Sequence, residues 1–209
     1  MRAENKTLWG GILLAAVLWF WMFSPWTKDI VGNFWLCMGV AGAILAAWAL
    51  VFRRDFTADI KFSLGEVLLG GGLAAAFWGV FWVGDKLSQL MFSFARGQVD
   101  MIYTMKDGSN PVAVALLLLF LVGPAEELFW RGFVENKLIG KMGQWKGFIV
   151  ATLIYALVHI WSGNFMLVMA ALVIGALWGF IYMKWPRHLG AIIISHALWD
   201  VAAFVLFPF

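Results

Sequence analysis

Three short strings in the second half of the chain hold side chains able to do acid–base chemistry. Leu-Val-Gly-Pro-Ala-Glu-Glu-Leu-Phe-Trp-Arg-Gly places Glu126, Glu127 and Arg131 in sequence, Tyr-Ala-Leu-Val-His-Ile-Trp sets Tyr155 four residues before His159, and Ser-His-Ala-Leu-Trp-Asp sets His196 four residues before Asp200. On a helix, Glu127 and Arg131 share one face and can pair. Glu126 is rotated about 100° from Glu127 and points elsewhere. One carboxylate suffices to neutralise Arg131, so the second acid is left over. A carboxylate with a histidine can hold and deprotonate a water molecule. A second histidine, oriented by an acid, can donate a hydrogen bond to the oxygen that becomes negative when a carbonyl is attacked. Together these are the parts needed to hydrolyse an amide: Glu126 and His159 on the water, His196 and Asp200 on the oxyanion. No serine or cysteine stands beside a base in a credible nucleophile setting, since Ser195 faces away from His196 on a helix and Cys37 lies in an apolar run.

The elements that must position these groups are membrane spans. Of 209 residues, 63% are hydrophobic and only 13% charged, with a mean hydropathy of +0.86; a soluble domain is about 45–50% apolar and about 25% charged. Apolar runs long enough to cross a bilayer occur near residues 8–23, 33–52, 64–84, 111–133, 147–161, 165–183 and 189–207. The expected fold is therefore all-α, a polytopic bundle of about seven transmembrane helices in the cytoplasmic membrane. The net charge of +3 does not point to nucleic acid, because the basic residues sit in short clusters between apolar runs. The first run follows Arg2 and Lys6, lacks a small-x-small cleavage site and reads as a retained span.

Placing the N-terminus in the cytoplasm puts Arg2, Lys6, Arg53, Arg54, Lys61, Lys137, Lys141, Lys146, Lys184 and Arg187 on the cytoplasmic side, ten basic residues against four (Lys28, Lys86, Arg96 and Lys106) on the other. That bias predicts a cytoplasmic N-terminus. Residues 85–110 form the one long connector, on the outer face, where the spacing of Leu87, Leu90, Met91 and Phe94 suggests a short amphipathic helix. Trp9, Trp26, Trp145, Trp161 and Trp185 fall near span ends as interface anchors, and His188 reads as interfacial. A charged side chain in hydrocarbon costs at least about 2.5–3.5 kcal/mol, so ionisable residues inside spans mark function by default. Glu126 lies 11 residues from Lys137, His159 12 from Gly147 and His196 9 from Arg187. At about 1.5 Å rise per residue all three fall roughly 13–18 Å below the cytoplasmic surface.

The strings Glu126-Glu127-Leu-Phe-Trp-Arg131, Tyr155-Ala-Leu-Val-His159 and His196-Ala-Leu-Trp-Asp200 resemble the signature of the CPBP family of intramembrane proteases, also called the CAAX protease and bacteriocin-processing or Abi family. Its pattern is Glu-Glu-x-x-x-Arg, an aromatic residue four before a histidine, and His-x-x-x-Asn/Asp; Tyr155 stands where Phe is more usual. The resemblance covers residues 111–207 and divides the chain into N-terminal transmembrane helices with their outer connector (1–110) and a catalytic helical core (111–209). It implies an intramembrane endopeptidase acting on a membrane-associated peptide or protein. Glu126 and His159 would activate the water, His196 and Asp200 would form the oxyanion site, and Glu127 with Arg131 would brace the helix. No cofactor is expected on the glutamate-based mechanism. Zinc held by Glu126, His159 and His196 is the alternative, since two His and one carboxylate form a known catalytic set. Buried acids and histidines also serve proton- or ion-coupled transporters, and a non-catalytic peptide-binding immunity factor is a third reading.

Overall fold

The computed structural model describes residues 2–53 and 55–209, leaving aside the side chains of Arg2, Ala3, Glu4, Lys28, Asp29 and Asp59. Arg54, and the side chains of Arg2 and Lys28 that entered the charge count, therefore lie outside the description. Among the described residues, seven helices are long and apolar enough to cross a membrane: Asn5–Phe23, Phe34–Phe52, Leu64–Met91, Pro111–Met142, Gln144–Ser162, Phe165–Lys184 and Pro186–Leu206. The protein is an all-α, multi-pass bundle. The fold does not determine which end faces the cytoplasm.

Two elements differ in extent from the reading of the sequence. The third span continues to Met91, because nothing between Gly84 and Met91 breaks a helix and Asp85 is buried there. Leu87, Leu90 and Met91 thus belong to the span, and the connector helix runs instead over Ala95–Tyr103. The fourth span runs on to Met142 and is not regular. Its backbone widens into π turns at Leu118–Val122 and Leu128–Glu135, on either side of the α-helical Gly123–Glu127. Pro124 has no N–H to give the ladder, and the Gly123 N–H reaches back five residues to Leu118. Such π turns frequently accompany functional sites, and here they bracket Glu126 and Glu127.

Local signals place the other ends. Asn110 accepts from the Val112 and Ala113 N–H groups and starts the fourth span with Pro111 in its first turn. The fifth span tightens to 3₁₀ geometry over Val158–Ser162, the turn that carries His159. It stops at Gly163, whose φ of 62° suits glycine. Asn164 caps the sixth span through Leu167 N–H, and its side-chain amide donates to the Gln98 carbonyl. Gln98 in turn accepts from Met166 N–H, so the connector helix is tied to the sixth span.

The seventh span lies at the centre, packed on the third and fourth. His188, expected at the interface, contacts Glu66 of the third span at 2.7 Å, and the other Glu66 oxygen accepts from Ala191 N–H at 3.0 Å. This carboxylate at a helix N-terminus staples the two spans. The core is aromatic, with Trp19, Trp130, Trp178, Phe129 and Phe133 fully buried. Trp9, Trp26, Trp145, Trp161 and Trp185 are exposed.

Candidate active site

The fourth, fifth and seventh spans bring Glu126, Tyr155, His159, His196 and Asp200 to the wall of one cavity of about 690 Å³. The rest of its lining is almost wholly apolar, and it extends to Met91, Phe92 and Tyr103 at the connector. All five residues are buried. A charge so placed must be paired or hydrogen-bonded, and the partners are as follows.

Glu126 accepts a hydrogen bond from the Tyr155 hydroxyl at 3.0 Å. The Tyr155 ring sits 4.9 Å beneath the Arg131 guanidinium and against Gly175 of the sixth span, where a Cβ would meet its ring at 2.7 Å. The missing side chain at Gly175 lets the two spans close, and its carbonyl accepts from Arg131 Nη2 at 3.2 Å. Arg131 Nη1 donates to Glu127 at 2.7 Å, the pair expected from their spacing.

Glu127 does more than balance Arg131. Its Oε1 also accepts from Nδ1 of His196 at 2.6 Å. The far edge of that imidazole, Nε2, lies 3.5 Å from Asp200 Oδ2, at the outer limit for a hydrogen bond. Trp178 of the sixth span stacks on the His196 ring at 4.0 Å and 21°, lies 5.5 Å from the Arg131 guanidinium and donates its indole N–H to Ser195 at 3.0 Å. Ser195 is thus a partner of Trp178. The imidazole of His196 is held at one edge and one face, with Nε2 and Asp200 left as its chemical end.

His159 is held differently. Its Nδ1 lies 2.8 Å from the Tyr155 carbonyl, and its Nε2 is 3.1 Å from the indole nitrogen of Trp19 in the first span. Both ring nitrogens are engaged, while the side chain lies on the same cavity wall as Glu126. Tyr155 is what links them, by its hydroxyl to one and its carbonyl to the other.

The three groups weighed as zinc ligands do not fit a metal as they stand. His159 has no free ring nitrogen, and His196, whose Nδ1 is on Glu127, keeps only Nε2 for a metal, so one imidazole and the Glu126 carboxylate are all that remain. Among the described residues no group of three or more His, Cys, Asp or Glu is placed to hold a metal ion.

Sequence reasoning does not find Trp19, Trp178 or Glu135. The first two are ordinary apolar residues by pattern, with roles that exist only across helices. Glu135 has a signal: it is a third acid at a spacing of four, four residues beyond Arg131, and it is buried.

Residues 108–202 match the Rce1-like family, described as Type II CAAX prenyl endopeptidase Rce1-like. The Rce1-like region takes in the fourth to seventh spans, somewhat under half of the chain, and includes every residue of the three motifs. It supports assignment to the CAAX protease superfamily. The first three spans, with Trp19, lie outside it. No curated protein and no solved structure matches the chain.

Proposed function

We propose that the protein is an intramembrane endopeptidase with Glu126 as its general base, and that 111–209 forms the catalytic core behind N-terminal helices 1–110. The observation that carries this reading is the single cavity lined by both Glu126 and the His196–Asp200 pair. An acid on one wall and a polarised hydrogen-bond donor on another are what attack on a carbonyl requires.

In the proposed reaction a peptide carbonyl lies between the two. Glu126 takes a proton from water as the oxygen attacks the carbonyl carbon. The C=O electron pair moves to oxygen, where Nε2–H of a doubly protonated His196 and the hydroxyl of a protonated Asp200 donate hydrogen bonds to it. Collapse of the tetrahedral intermediate breaks the C–N bond, and the proton held by Glu126 passes to the leaving amine. Glu127 and Trp178 keep His196 in position throughout. His159 shares the water only if its Nε2 comes free of Trp19; otherwise it acts through Tyr155. No metal takes part in any of these steps.

Substrates are membrane-associated peptides or proteins, since an almost wholly apolar cavity within a bundle of spans favours segments that partition from lipid. The charge bias of the connectors supports a cytoplasmic N-terminus. The test compares membrane-bound and released peptides from cells carrying wild-type protein or Glu126→Gln. Fragments present only with the wild type are expected. Identical peptide profiles, with equal accumulation of both proteins, would sink the enzyme reading. Flux across vesicles that survives His196→Ala would favour transport instead.

A further inference from the structure

The bond between Trp19 and His159 fixes the state of the histidine. An indole nitrogen can only donate and a backbone carbonyl can only accept. With the Trp19 N–H on Nε2 at 3.1 Å, Nε2 must carry its lone pair. With the Tyr155 carbonyl 2.8 Å from Nδ1, Nδ1 must carry the proton. His159 is therefore neutral and in a single tautomer. The doubly protonated form would set its Nε2–H against the Trp19 N–H. The opposite tautomer would in addition set a lone pair against a carbonyl oxygen.

The chain of donors runs on. Trp19 N–H donates to His159, His159 Nδ1–H to the Tyr155 carbonyl, and the Tyr155 hydroxyl to Glu126. The surroundings allow little slack: Trp19 is fully buried, stands edge-on to Trp130 at 6.4 Å and edge-on to His159 at 5.9 Å. Phe23, one turn later on the same span, covers another side of the imidazole at 5.7 Å. The 3₁₀ turn at Val158–Ser162 packs directly on the first span.

We propose that Trp19 is a positioning residue for the Glu126 centre: together with the Tyr155 carbonyl, its indole N–H holds His159 in the neutral Nδ1–H form, and through it the placement of Tyr155 and Glu126. The first span, outside the region matched to the Rce1-like family, thereby becomes part of the active site. The tautomer assignment stands on geometry alone, while its effect on turnover rests on the protease reading.

Trp19→Phe removes the N–H and keeps an aromatic ring. NMR of isotope-labelled histidine in nanodiscs separates the tautomers by the coupling of each ring nitrogen to the carbon-bound ring protons, with His159 assigned by its loss in His159→Asn. The wild type is expected to show His159 protonated at Nδ1 alone, and Trp19→Phe to keep Nδ1–H on the Tyr155 carbonyl while admitting the doubly protonated form. Turnover of a peptide cleaved by the wild type should then fall roughly 10- to 100-fold through kcat, the size of effect that misplacing a reacting group produces, with KM unchanged. A wild-type His159 protonated at Nε2 overturns the proposal, and that spectrum decides it even if Trp19→Phe does not accumulate. Unchanged kcat in Trp19→Phe also overturns it, as does an increase, which would make Trp19 an inhibitory latch. If wild type and Glu126→Gln are equally inactive, the protease reading fails while the spectra still decide the Trp19–His159 pairing.

Discussion

Nδ1 of His196 lies 2.6 Å from Oε1 of Glu127, the same oxygen that Arg131 reaches at 2.7 Å. One carboxylate thus holds a histidine on one span and a guanidinium on its own, all three buried. Adjacent glutamates divide the work, with Glu127 turned into the bundle and Glu126 on the cavity wall.

Glu127→Ala is expected to cost about 3–5 kcal/mol of stability, because removing one partner leaves the buried Arg131 uncompensated. Glu126→Gln should stay within about 1 kcal/mol of wild type, since the amide oxygen still accepts from Tyr155 and a single neutral hydrogen bond is worth about that much. Thermal denaturation in detergent compares the two. Equal melting points for both variants would contradict the division of roles.

Asp200 sits 3.5 Å from Nε2 of His196, and in the proposed reaction it donates to the oxyanion as a protonated acid. Asp200→Ala is expected to lower kcat by roughly 10²–10³, the usual loss for one oxyanion donor. Asp200→Asn, whose amide can donate, should keep activity within about tenfold of wild type on the same scale. If the asparagine variant is as inactive as the alanine one, Asp200 acts by charge and not by donation.

Gly175→Ala places a methyl 2.7 Å from the Tyr155 ring, and overpacking of this kind costs about 1–3 kcal/mol. Because Tyr155 is the donor to Glu126, activity should fall along with stability. A methyl added at Gly71, in the third span, would meet nothing within 4 Å, so Gly71→Ala should stabilise its helix by about 0.5–1 kcal/mol. Melting temperatures should move in opposite directions.

The connector helix carries an exposed pair, in which hydrogen bonds from the Arg96 guanidinium hold the Asp100 carboxyl below its ordinary value. A depressed folded value means that the contribution is present above the unfolded pKa of about 3.9 and is lost as pH falls through the folded one. Amide protection across Ala95–Tyr103 should therefore be flat from neutral pH to about 5 and fall below about 4. Asp100→Asn should remove that dependence in hydrogen-exchange measurements. The effect is small, because solvent and salt screen an exposed pair.

The spans, their order and the three motifs are legible in the residues themselves. Hydropathy depends on composition within a window of about 20 residues, and pairs such as Glu127–Arg131 and His196–Asp200 follow from the 3.6-residue period of a single helix. The common level of Glu126, His159 and His196 can also be counted along the chain, because rise per residue is constant. The helical run through Leu87 to Met91 reads as connector in the sequence, because polar Asp85 and Lys86 interrupt the hydropathy without interrupting the helix.

Which atoms meet between helices is settled by packing alone. Periodicity says that two residues share a face, but the rotation of that face toward a neighbour depends on how the spans close, as where Gly175 lets Tyr155 approach the sixth span. Hence Glu127 is a partner of His196, Tyr155 stands between Glu126 and His159, and Trp178 stacks on His196. Trp19 carries no signal in the sequence at all. A tryptophan in an apolar span is ordinary until a neighbouring helix brings an imidazole nitrogen to within 3.1 Å of its N–H.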